Sequence, residues 1–240
     1  MTTPSSAFGQ DDLNDVFLRA FKDCTKGIVN SLSTDANDPA TVTAIQIIVA
    51  QLNYDYSRLV YVVDSIQDRV YRDAQWADAA VAVYDMIAMS IDPYFSHPSL
   101  PLRGPLLVQH QLMKALQVQF TLMMAADTWS SGFTFFLAQL CQSKDSIGQL
   151  TPGIMLHIIS EMIDSTQLFN DSNLDSLFEV INAAGPVLDA QALEVVNDFG
   201  RKLQRLQERV RERGNVVSMA AFGLMRLREL GWNVKPNENT

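Results

Sequence analysis

Met155, Ile158, Ile159, Met162 and Ile163 fall on one stripe of a 3.6-residue period. The same spacing returns along almost the whole chain, while the strict alternation of a half-buried strand is found nowhere. That uniform period restricts the chain to an all-α fold. Thr151 is placed to cap the helix just described, and Pro152 to take its first position, where a missing N–H costs nothing. The next segment repeats the logic, with a polar cap near Asp171 or Ser172, a stripe at Leu174, Leu177, Phe178 and Ile181, and Gly185 and Pro186 as a stop. Upstream, Trp76, Ala80, Val83, Ile87 and Ile91 recur every three or four residues, and Pro93 ends that helix.

The same signals predict helices at about 10–33, 40–53, 56–71, 74–91, 105–126, 128–143, 152–167, 172–184, 189–213 and 215–230. Connectors of mostly two to six residues force neighbours to lie side by side, so these ten helices make five antiparallel pairs. The exception is "DPYFSHPSLPLRGP" (92–105), which holds four of the nine prolines. Because the helical pattern is the same on both sides, it reads as a long loop inside one domain. Pairs of about 40 to 47 residues are the period of HEAT-type arrays. The expected architecture is therefore a right-handed α-solenoid of about five antiparallel HEAT-like helix pairs over residues 10–234, with frayed ends at 1–9 and 235–240.

Hydrophobic residues make up 48% of the 240, ample for a sizeable core. The longest apolar runs fall far short of the roughly 18 residues a membrane span needs, and "MTTPSSAFGQDD" lacks the order of a secretory signal. A soluble chain is expected, in the cytoplasm, with the nucleus as a second location and no membrane partner. Cys24 and Cys141 match no metal or redox spacing; reduced, packed thiols are the expected state, with a disulfide as the alternative.

The net charge of −9 argues against nucleic-acid binding by the whole surface. It is unevenly spread, however, because eight basic residues face only three acids between Asp198 and Arg228. Arg201, Lys202, Arg205, Arg209 and Arg213 are the candidate surface for RNA phosphate or an acidic partner, against the alternative of a solvated helix face. Charge reversal at Arg205 and Arg209 is expected to weaken binding without unfolding.

Catalytic signatures are sparse. The sequence has no Gly-rich phosphate loop, no Gly-x-Ser-x-Gly and no His-Glu-x-x-His, so no catalytic residue, cofactor or metal is expected. His157 and Glu161 stand one helical turn apart without the second Glu-x-x-His unit of a di-metal bundle, and read as a helix-surface or half-buried pair. Asp64, Asp68 and Asp73 are spaced to pair with Arg69 and Arg72 along one helix. Met86, Met89, Met123, Met124, Met155 and Met162 read as core filling. Tyr54, Leu59 and Val60 fit Tyr-x-x-x-x-Leu-Φ, by which helical peptides dock on the cap-binding initiation factor 4E, although the same three also suit the core face of a helix.

"IGQLTPGIMLHIISEMID" (147–164), "LDSLFEVINAAGPVLDA" (174–190) and "VVSMAAFGLMRLRELGW" (216–232) resemble, in order and spacing, the last three helix pairs of the middle domain of eukaryotic initiation factor 4G. "DRVYRDAQWADAAVAVYDMIAMSI" (68–91) is similar to an early helix pair of that family, and the resemblance spans about residues 40 to 234. Its clearest marks are Ile-Gly-x-Leu at 147–150, Gly-x-x-Leu-Asp at 185–189 and Leu-Arg-x-x-x-Trp at 227–232. Where factor 4G has a basic Ser-Arg-x-Arg-Phe-Met start to the final helix, this chain has the uncharged "VVSMAAFGLM", closer to the family's small stand-alone adaptors. A chain running from Met1 to just beyond this helix suits such an adaptor.

The resemblance implies a non-enzymatic HEAT-repeat scaffold in mRNA translation or processing. Its surfaces would hold a DEAD-box RNA helicase or another translation factor. A homodimer and direct RNA contact at the basic C-terminal helix are both compatible with it, and a protein-interaction domain acting outside mRNA metabolism is the alternative. The resemblance also implies that Trp232 folds back to cap the last hairpin, and that Arg228 pairs with an acid or with helix-end carbonyls.

Overall fold

The computed structural model describes residues 10–143, 146–170, 172–212 and 223–232, with side chains from residue 15 onward. Among the described residues the protein is all-helical, with no strand. The helices are α1 (Gln10–Ser31), α2 (Pro39–Gln51), α3 (Tyr56–Arg72), α4 (Ala77–Ser90), α5 (Pro105–Ala125), α6 (Ser131–Gln142), α7 (Pro152–Asp164), α8 (Asn173–Asp189) and α9 (Leu193–Arg211). A 3₁₀ turn at Ala74–Trp76 precedes α4, and a further helix, α10, covers 223–229. The first half of the helix expected at 215–230 lies outside the described residues.

Among the described residues, side-chain caps start four of the α-helices. Asp38, Asp55, Ser130 and Thr151 each accept a hydrogen bond from a backbone N–H in the first turn that follows, and Pro39, Pro105 and Pro152 open α2, α5 and α7. The entry to α8 is built otherwise. Ser172 makes no cap bond; instead the fully buried Asn173 accepts the Trp129 N–H at 2.7 Å and donates to the carbonyls of Asp127 and Gln167, both at 2.8 Å.

The expected stop at Gly185 and Pro186 does not occur, and α8 runs on to Asp189. Pro186 deprives one backbone carbonyl, that of Asn182, of its helical donor. Asn182 is exposed, so water can serve that carbonyl, while the extra turn buries Leu188 completely. Tertiary burial outweighs the local breaker here.

Most packing runs between helices two apart in the chain: α1 on α3, α2 on α4, α3 on α5, α4 on α6, α6 on α8 and α7 on α9. The buried residues form one continuous cluster in which Trp76, Tyr84, Phe133, Phe136 and Phe199 are fully enclosed. Each such ring contributes on the order of 1.5–3 kcal/mol by leaving water. α6 sits at the centre, touching α3, α4 and α8. The helices before and after it in the chain behave differently: α5 and α7 do not pack on one another as the other pairs do.

Several polar groups tie helix ends together. Arg69 donates to the Val29 carbonyl at the end of α1 and lies over the Trp76 ring at 4.0 Å, while Trp76 Nε1 donates to the Ser33 carbonyl at 3.0 Å. Burial lowers the pKa of Arg69 from its usual value. Asp73 lies 4.0 Å from Arg69, and Arg72 donates to the backbone of Asp68, so this acid-rich stretch serves packing. The proline-rich loop folds back on itself through a single bridge between Ser96 and Arg103, with Phe95 buried beneath it. Cys141 is buried and its thiol is pushed up to about 11 by desolvation, whereas Cys24 is exposed; both are free thiols.

Candidate interaction surfaces

Asp189, the last residue of α8, gathers the side chains that close the C-terminal end. Arg228 presents its guanidinium as a fork to this carboxylate, Nη2 to Oδ1 at 2.8 Å and Nε to Oδ2 at 3.0 Å, and Nη2 also donates to the Val196 carbonyl at 3.1 Å. Trp232 Nε1 donates to Oδ2 at 2.8 Å. The Trp232 ring stacks on Phe199 at 6.1 Å between centroids and covers Gly185, where an added Cβ would lie 2.3 Å from the ring. Leu-Arg-x-x-x-Trp and Gly-x-x-Leu-Asp are thus two halves of one lock.

The chain turns into this lock through two left-handed residues, Gly231 (φ 66°) and Trp232 (φ 64°). Trp232 N–H donates to the Leu227 carbonyl at 2.8 Å and Gly231 N–H to that of Arg228 at 2.9 Å, the two bonds of a Schellman cap. A non-glycine residue at positive φ costs about 1–2 kcal/mol. The contacts of the indole hold Trp232 there.

The third sequence mark is also a packing device. Asp85 accepts the Ile147 N–H at 2.9 Å, Leu150 is buried, and a Cβ on Gly148 would press on Leu112 and Leu140 at 2.8 Å. These motifs describe how helices are held, and Asp189, the hub of the lock, had no role assigned from the sequence although it sits inside one of them.

The basic candidates do not form one free surface. Arg205 pairs with Asp164 at 2.8 Å, and Arg201 and Lys202 both reach Asp198, at 3.2 and 3.7 Å. Arg209 is half-buried, donates to the carbonyls of Ile163 and Ser165 at the end of α7, and stands over the Phe169 ring at 5.5 Å. Arg213 lies outside the described residues. Reversing Arg209 would therefore disturb the fold, contrary to the expectation drawn from charge alone. Arg209→Ala is expected to cost about 1–2 kcal/mol through its lost charged hydrogen bonds, and Arg201→Ala less than about 0.5. Urea unfolding of the two variants checks this; equal midpoints would mean that Arg209 is only a surface charge.

Tyr54, Leu59 and Val60 do not share an exposed helical face. Tyr54 precedes α3, has φ 56°, is 61% exposed, stacks on Phe95 at 6.0 Å and donates its hydroxyl to Asp92. That hydrogen bond raises the pKa of the phenol and lowers that of the carboxyl. Leu59 is fully buried and Val60 half-buried. Met89 also departs from expectation: it is 77% exposed near Tyr54, whereas Met123, Met155 and Met162 are buried as core filling requires.

His97 accepts the N–H groups of Ser99 and Leu100 at 2.9 Å each, an ordinary loop role. His157 and Glu161 are exposed on α7. Among the described residues no group of three or more His, Cys, Asp or Glu is placed to hold a metal ion, and no helix is long and apolar enough to cross a membrane. No family model matches the chain, and no curated protein matches it either.

Proposed function

We propose that the protein is a non-enzymatic scaffold in mRNA translation or processing, an α-solenoid of HEAT-like helix pairs whose surfaces hold a DEAD-box RNA helicase or another translation factor. The observation that carries the reading is the lock at Asp189, where two of the three marks of the resemblance to the factor 4G middle domain meet in space through Arg228, Trp232 and Gly185. Packing between helices two apart in the chain supports the solenoid part, because stacked hairpins bury a core in that way. The internal pairing of Lys202, Arg205 and Arg209 favours a protein over RNA as the principal partner. The expected place of action is the cytoplasm or the nucleus.

Affinity purification from native extract, with and without nuclease, tests the reading. The expected result is a DEAD-box helicase or translation factor retained after nuclease. Partners lost with nuclease would mean that RNA bridges them, and reproducible partners unrelated to mRNA would move the scaffold to another pathway and remove the mRNA part of the proposal.

A further inference from the structure

Along one side of the fold α1 packs on α3, α3 on α5 and α7 on α9, and this succession is interrupted only between α5 and α7. The interruption opens a groove of about 560 Å³. Its walls are Met113, Phe120 and Met124 from α5 and Ile154 and Ile158 from α7, with Leu137 of α6 at the floor. Ile154 is 44% exposed, although it is a large aliphatic side chain. An apolar trough between two helices that do not pack on one another has the shape a third helix fills, with its i, i+3, i+4 and i+7 side chains set into the walls. The two methionines let the walls adapt to those side chains.

Charge selects the kind of helix. The α5 residues that line the groove, from Met113 to Met124, are all uncharged, so that wall is electrically neutral. On the α7 wall, His157 and Glu161 stand at the rim, and Glu161 is the one carboxylate among the lining residues. Asp164, the next acid along α7, is already engaged by Arg205 at 2.8 Å. The rim thus offers a negative charge beside an apolar trough in a chain of net charge −9.

We propose that the α5–α7 groove seats an amphipathic helix of a partner protein that carries a leucine-type apolar face and a Lys or Arg opposite Glu161. The inference rests on the scaffold reading only in placing partners on helical surfaces, and it holds whatever pathway the partner serves.

The probe is a fluorescent synthetic helix of about four turns with leucine along one face and lysine beside it, together with a counterpart in which glutamate replaces lysine. Fluorescence anisotropy should show saturable binding of the lysine helix, at least about threefold tighter than the glutamate helix. Ile154→Lys, at an exposed position, should weaken binding at least about tenfold while circular dichroism and the melting temperature stay unchanged. Glu161→Lys should reverse the preference between the two probes. Absence of saturable binding, equal binding to Ile154→Lys, or an unaltered preference in Glu161→Lys would overturn the proposal. So would conversion of a dimer to a monomer by Ile154→Lys, which would make a second copy the occupant. Because the probe is synthetic, its result is independent of which proteins co-purify.

Discussion

Gly132→Ala is expected to lower the melting temperature by roughly 6–12 °C, the equivalent of about 3 kcal/mol for a chain of this size. Gly132 lies in the first turn of α6, where a Cβ would stand 2.1 Å from the carbonyl oxygen of Val70 in the last turns of α3. The neighbouring N-cap fixes this approach, because Ser130 donates its hydroxyl to the Tyr71 carbonyl at 2.7 Å while accepting the Phe133 N–H at 3.2 Å. The methyl group therefore meets backbone, which cannot rotate away as a side chain can. α6 would have to lift off α3, loosening the central helix from its neighbours. Gly148→Ala makes the control, since there the obstacles are the movable ends of Leu112 and Leu140. Calorimetry of the three proteins decides the matter; a Gly132→Ala melt no lower than that of Gly148→Ala would show that the α3–α6 contact tolerates separation.

Asp189→Ala should produce the second large effect, a loss of about 2–4 kcal/mol and roughly 5–10 °C. The carboxylate receives the Arg228 fork and the Trp232 indole, and both charged side chains are about one-fifth exposed, so solvent screens the pair only in part. Its removal leaves Arg228 with the Val196 carbonyl and the face of Phe199, and it leaves the indole N–H without its acceptor. Trp232 would then have less reason to hold its left-handed backbone. A double-mutant cycle with Arg228→Ala should give a coupling of about 1–3 kcal/mol. Additive losses would mean that the two residues support the fold separately and that the lock is a coincidence of neighbours.

The lock was half legible beforehand. Arg228 and Trp232 stand out because they share one short motif, and Gly185 and Asp189 share another. Nothing in the spacing says that the two motifs touch, since 42 intervening positions separate Asp189 from Trp232 and helical period carries no information across a turn. The basic residues show the opposite limit. Arg205 and Arg209 look alike in sequence, but one reaches a carboxylate on α7 and the other the carbonyls at its end. Charge counting sees the donor and never the acceptor. Tyr54 is similar: its motif presumes a helix, whereas the residue lies in the turn before one.

Along this chain, the repeat of apolar residues every three or four positions was enough to determine that the protein is all-helical, and local signals such as Thr151 and Pro152 placed the start of α7. Those are local properties, set by each segment's own backbone and by the face it must bury. Where α8 ends, which cations remain free, and the gap between α5 and α7 were decided only by tertiary structure. The reason is physical: a breaker such as Pro186 costs about 3 kcal/mol or more, and the burial and pairing that outweigh it come from residues distant in sequence.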